Sequence, residues 1–101
     1  HLVLTTMLAL KQRNLPQLVG AGLFYGMYAR RDDTWSHHAY GDGSVGLSTE
    51  RMRWFWERLM GPRQPGPADP LREPLEADLS GLPPLALVAA EVDCLLDDTL
   101  D

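Results

Sequence analysis

Apolar positions fall into four groups along this chain, and their spacing differs from group to group. Over residues 1–13, Leu2, Val3, Leu4, Met7, Leu8 and Leu10 follow a helical period. They occupy nearly every side of the helix, which predicts burial against a sheet. Pro16 is expected to stop this helix, because the residue before a proline is pushed out of the α region. Residues 18–25 then form a continuous apolar run in which Gly20 and Gly22 permit close approach. A run without alternation predicts a central parallel strand, buried on both faces. Met52, Phe55, Trp56 and Leu59 recur at i, i+3, i+4 and i+7, which predicts one apolar stripe on a helix. Ser48 or Thr49 can cap that helix, Glu50 suits its first turn, and Gly61-Pro62 ends it. The last group, residues 85–90, follows Pro83-Pro84 and predicts a second buried strand, spanning roughly 84–91.

Between these groups the chain is polar. Residues 27–46 carry Arg30, Arg31, Asp32, Asp33, Trp35, His37, His38 and a Gly41-Asp42-Gly43 turn, an aromatic-studded excursion. Residues 61–74 hold five prolines and little periodicity, so they are expected to form an ordered loop. Residues 75–82 make a turn of helix at best. The order is helix, strand, long insertion with a helix, strand, and the start of a helix. Two buried strands joined through so long an insertion suit a parallel crossover, so the expected fold class is α/β. His1 already lies in the helical pattern with no cap ahead of it, and Asp97 to Asp101 looks like the first turn of another helix. Both ends are therefore expected to fall within secondary structure, as in a segment of a longer protein.

Composition narrows the function classes. At 101 residues, with 45% hydrophobic and 23% charged residues, the chain is ordinary globular material. A net charge of -5 argues against a nucleic-acid partner or an anionic membrane surface. No apolar stretch approaches the ~18 residues of a membrane span. The start has neither the charged region nor the cleavage site of a signal peptide. The single cysteine, Cys94, cannot pair within the chain, which fits a cytoplasmic location.

Asp93 is the leading candidate for chemistry. Active sites of α/β sheets gather just beyond the carboxyl ends of the strands, and Asp93 follows the second strand directly. An aspartate at a strand-to-helix junction is more often a helix cap. Asp97 is closer to the helix start and better placed for capping, which leaves Asp93 with less structural reason to be acidic. His37 and His38 are adjacent, so on an extended segment they would point apart, and a solvated loop is the plainer reading. No zinc-like spacing surrounds them. His1 is assigned to packing. Among the aromatics, Trp56 belongs to the helical stripe, while Trp54 points about 100° away from Phe55. Together with Trp35 they could line an apolar pocket or simply pack, and the two readings weigh equally. Cys94 is flanked by acids, which raise a thiol pKa, so a thiolate nucleophile is not expected. None of Ser36, Ser44, Ser48 and Ser80 sits in a G-x-S-x-G elbow.

Two motifs at a fixed separation carry a resemblance. Asp78-Leu79-Ser80-Gly81-Leu82-Pro83-Pro84, then the apolar strand, then Asp93-Cys94-Leu95-Leu96-Asp97-Asp98 is similar to the hormone-sensitive-lipase-like branch of the α/β-hydrolases. There the stretch commonly runs DLSGLPP, strand, D-P-L-x-D-[DE]. Met52-Arg53-Trp54-Phe55-Trp56 resembles the family's M-x-W-F-W helix, and Asp69-Pro70 and Pro74-Leu75 resemble its D-P and S-P-L steps. The helix from His1 looks like the one that follows the G-D-S-A-G-G elbow, so the resemblance covers essentially the whole chain. Cys94 stands where the family has proline, and Glu73 where it has serine.

The resemblance implies a serine carboxylesterase or lipase-like hydrolase in which Asp93 is the triad acid and Asp97 gives helix capping and local support. It also implies that residues 27–75 form part of a cap over the active site, and that no cofactor or metal is needed. The expected ligand is a small ester, bound with help from Trp35, Trp54 and Trp56, and the rest of the hydrolase domain is an expected partner. The H-G-G-G oxyanion loop, the elbow serine and the triad histidine are not among these 101 residues, so the chain alone is expected to be inactive. Two readings from other classes compete. One is a non-catalytic fragment or pseudo-enzyme acting as an interaction surface, and the other is a small binding domain built on the Trp-rich helix.

Overall fold

The computed structural model describes residues 1–101. The first helical pattern folds as α1 (Leu2–Gln12), with Leu4, Met7 and Leu8 buried and Leu2 and Val3 exposed. One side of the helix is covered, rather than nearly all of it. Its end is made by Asn14 and not by Pro16. Asn14 adopts φ 52°, and the N–H groups of Asn14 and Leu15 return to the carbonyls of Lys11 and Leu10. This paired return satisfies the last carbonyls of the helix, and asparagine tolerates the left-handed conformation it needs.

β1 (Ala21–Phe24) and β2 (Leu85–Val88) pair in parallel, with Ala21 opposite Leu85 and Phe24 opposite Val88. The expected parallel crossover is therefore present. Both strands are shorter than their apolar runs, because the ladder ends where Tyr25 turns to φ 35° after donating its N–H to the Val88 carbonyl at 2.7 Å. The expectation of burial on both faces is corrected. Leu23, Ala21 and Leu85 pack against Leu4 of α1 and against Leu79 and Leu82. On the opposite side of the pleat, Phe24 is 61% exposed and Val88 is exposed with it.

A lysine fastens α1 to the turn that launches β2. Lys11 Nζ donates to the carbonyls of Asp78 (2.9 Å) and Ser80 (2.6 Å) and pairs with the Asp78 carboxylate at 3.4 Å. Asp78 Oδ1 also accepts the Ser80 N–H at 2.9 Å. Hydrogen bonds from Ser80, with Lys11 adding to them, hold the Asp78 carboxyl at about 2.

The insertion between the strands carries α2 (Trp35–Tyr40), α3 (Thr49–Met60) and a 3₁₀ turn at Pro74–Glu76. α2 lies inside what the sequence presents as an irregular excursion. α3 forms as expected: Ser48 Oγ accepts the Arg51 N–H at 3.1 Å, and Gly61, at φ 72°, ends the helix. Its buried stripe is narrower than expected, since Met52 and Trp56 are buried while Phe55 and Leu59 stay exposed. α2 and α3 meet at Gly41, whose carbonyl accepts the Thr49 N–H at 2.9 Å. A Cβ at Gly41 would collide with the Thr49 side chain and the His37 carbonyl. A last short helix, α4 (Leu96–Leu100), follows β2. No helix is long and apolar enough to cross a membrane.

Candidate active site

Because β1 and β2 are parallel, their carboxyl ends share one edge of the sheet, and residues 89–95 leave that edge toward α4. Asp93 sits in this connection, half-buried. Its Oδ1 accepts the Leu95 N–H at 2.9 Å, a local turn in which the carboxylate shapes the backbone ahead of the helix. Asp93 thus does part of the local work expected of Asp97, and its Oδ2 remains free to accept from a further donor. Asp97 is turned elsewhere. Its Oδ2 accepts the Ser36 N–H at 2.9 Å, so it caps the start of α2 and not its own helix. That bond, with others from Ser36, depresses the Asp97 pKa.

Cys94 is buried with Leu95, Met52 and Trp56 in one cluster. Burial, reinforced by the neighbouring Asp93 charge, pushes its thiol up to about 11. The thiol is therefore a packing group, as the sequence indicates, with burial rather than charge as the main cause. Trp56 is brought by this cluster against Cys94 and Leu95, the two residues that follow Asp93, and His1 stacks edge-on against it at 5.5 Å. His1 also has a polar partner that its sequence position does not suggest: Nε2 lies 2.6 Å from the Arg72 carbonyl oxygen. Trp35 is exposed at the start of α2, edge-on to Tyr40. Trp54 lies outside the Cys94 cluster. It is 46% exposed, packs edge-on to Phe55, and carries the Arg58 guanidinium 5.3 Å above its ring. The structure thus packs Trp56 against the residues that follow Asp93 and leaves Trp35 and Trp54 on the surface of the insertion. Beside Trp56 is a concavity of about 460 Å³ bordered by Arg30, Arg31, Arg53 and Arg63. Three of these arginines are engaged within the insertion, Arg53 with Asp32, Arg63 with the Arg30 carbonyl, and Arg30 with the Gly61 carbonyl at 3.0 Å.

His37 and His38 lie on α2, not on an extended segment, so about 100° separates them. His37 is buried, with Nδ1 2.8 Å from Thr49 Oγ1, and His38 is exposed. Burial lowers the His37 pKa below the usual 6.5, against an opposing pull from Asp98 and Asp32. A folded value below the unfolded one means that the neutral ring's contribution is present above pH 6.5 and is lost as pH falls through the folded value. Acidification from about pH 7.5 to about 5.5 should therefore lower the melting temperature more in the wild type than in His37→Gln. Equal losses in the two proteins would contradict this.

The acid with the most partners is one to which the sequence assigns no role. The Asp98 side chain is 1% exposed, and its Oδ2 accepts the N–H groups of Tyr28 (2.8 Å) and Ala29 (3.3 Å). Arg31 Nε approaches Oδ1 at 3.4 Å, and the same guanidinium reaches Asp101 and the Asp97 carbonyl.

A parallel pair, an acid just past its carboxyl edge, and a helical insertion folded back onto that acid's loop describe part of a known architecture. The family model for the alpha/beta hydrolase fold matches residues 1–101. The chain belongs to the alpha/beta hydrolase fold family. Among solved structures, it is similar to a mutant of the esterase E40, with 29% identity and a TM-score of 0.84 over 98% of this chain and 33% of that one. It is also similar to the Pyrobaculum calidifontis esterase, with 27% identity and a TM-score of 0.78 over 96% of this chain and 32% of that one. The chain spans about a third of the length of these esterases. No curated protein matches it. The resemblance drawn from DLSGLPP and the Asp93 motif is thereby established at the level of family and fold.

Proposed function

We propose that this chain is the acid-bearing part of a serine carboxylic-ester hydrolase, with Asp93 as the triad acid. Asp93's position carries the reading: it lies past the carboxyl edge of a parallel pair, with one oxygen tied to Leu95 N and the other free. In such a site a serine attacks the ester carbonyl while a histidine takes its proton, and later returns it to the leaving alcohol. Asp93 Oδ2 would accept the histidine N–H, fix its tautomer and stabilise the imidazolium. The serine and the histidine would come from sequence outside residues 1–101, and the same outside residues would cover the bare face of Phe24 and Val88. Residues 27–75 would act as a cap-forming insertion between the two core strands. Trp56, and more remotely Trp35 and Trp54, would shape the pocket for the acyl or alcohol part of a small ester. No step of this chemistry needs a cofactor or metal.

The test uses the full-length protein and a short p-nitrophenyl ester. Turnover that is abolished by a serine-directed phosphonate supports the reading, while residues 1–101 alone should give none. A full-length protein without turnover would favour the pseudo-enzyme alternative, in which the fold serves as an interaction surface, and turnover indifferent to the phosphonate would rule out a serine nucleophile.

A further inference from the structure

Ser36 is fully buried on α2, and its sequence setting gives no reason for a hydroxyl there. In the fold it is joined to two of the four residues that follow Asp93, Cys94 and Asp97. Its Oγ donates to the Cys94 carbonyl at 2.8 Å and accepts the Asp97 N–H at 3.3 Å, while its own N–H is held by Asp97 Oδ2 at 2.9 Å. The Cys94 side chain is wedged against Met52 and Trp56 of α3. The residue next to Asp93 is therefore gripped by the insertion twice, at its carbonyl by α2 and at its side chain by α3. Asp93 spends one oxygen on Leu95 N, so a shift of the 94–97 backbone turns its carboxylate with it.

We infer that Ser36 is a positioning residue for Asp93, through which the seating of the insertion sets the aim of the triad acid. The inference rests on the proposed role of Asp93. A carboxylate that drifts by about 1 Å from its histidine costs on the order of 10²-fold in rate while leaving ester binding alone. The insertion would then be part of the catalytic geometry as well as a cover over it.

The experiment is a double-mutant cycle in the full-length enzyme, reading kcat and KM on a p-nitrophenyl ester with Ser36→Ala, Asp93→Asn and the pair. Asp93→Asn alone tests the underlying reading, which fails if kcat survives that substitution. Given that loss, Ser36→Ala should lower kcat by roughly 10- to 100-fold at unchanged KM. It should then add little in the Asp93→Asn background, because residues that act as a unit are not additive. Ser36→Cys, which keeps a weaker donor, should fall between the two. An unchanged kcat in Ser36→Ala, or an equal further loss on top of Asp93→Asn, would overturn the inference. Failure of both Ser36 variants to fold would overturn it too, since a positioning role requires a folded, slower enzyme.

Discussion

On the proposed assignment of Asp93 as a triad acid, Asp93→Asn in the full-length protein should lower kcat by about 10⁴-fold, the size of loss that follows when the acid of a Ser–His–Asp triad is made neutral. Stability should scarcely change, and the geometry says why. The one structural bond of the side chain is Oδ1 accepting from Leu95 N at 2.9 Å, and the asparagine carbonyl can accept that bond unchanged. What asparagine cannot supply is a negative acceptor for a histidine N–H, so the histidine loses its tautomer control and its counter-charge together. Asp97→Asn is the necessary comparison. Its carboxylate faces Ser36 N, away from its own helix, so its loss should cost some stability and only a modest fraction of the rate. The two variants should be compared by kcat at matched folded fraction. A larger loss from Asp97→Asn would show that the triad acid is misassigned.

The features legible in the sequence were those set by local pattern. The parallel pair showed in two unbroken apolar runs separated by residues too numerous for a hairpin, and α3 showed in the Met52–Trp56 spacing behind the Ser48 cap. Asp78 and Ser80 stand out in the sequence as part of the DLSGLPP motif, whereas their turn and its link to Lys11 do not. Features set by distant contacts were hidden. α2 has six residues and no apolar period, and Asp97, 61 positions away, supplies a bond at its start. The histidines looked like loop residues for the same reason, although His37 is a buried link from α2 to Thr49. Unbroken runs such as residues 18–25 indicate that both faces of a strand favour cover, but not where that cover comes from. Phe24 and Val88 stand open for that reason. Of the candidate site, the place of Asp93 just past β2 could be read from the sequence because it depends on the chain immediately around it. Ser36 and Asp98 could not, because their partners lie across the fold.

Asp98→Ala should destabilise the full-length protein by about 2–6 kcal/mol, the cost of two buried backbone donors left without an acceptor. The carboxylate accepts two adjacent backbone N–H groups, Tyr28 at 2.8 Å and Ala29 at 3.3 Å, where the chain leaves β1 for the insertion. Alanine would leave both donors without a partner in a buried setting, each at a cost of about 1–3 kcal/mol. Arg31 would lose Asp98 but keep Asp101 at 2.5 Å and the Asp97 carbonyl at 3.1 Å, so its share of the loss is the smaller one. Asp98→Asn separates these contributions. Its amide oxygen still accepts from Tyr28 N, and what goes is the charge assistance and the attraction for Arg31, a loss of about 1 kcal/mol. Urea unfolding at constant m-value should therefore rank wild type, Asp98→Asn and Asp98→Ala in falling order of midpoint, with the larger step at alanine. Near-equal midpoints for the two variants would mean that the charge, rather than the two accepted N–H groups, is what holds the start of the insertion to α4.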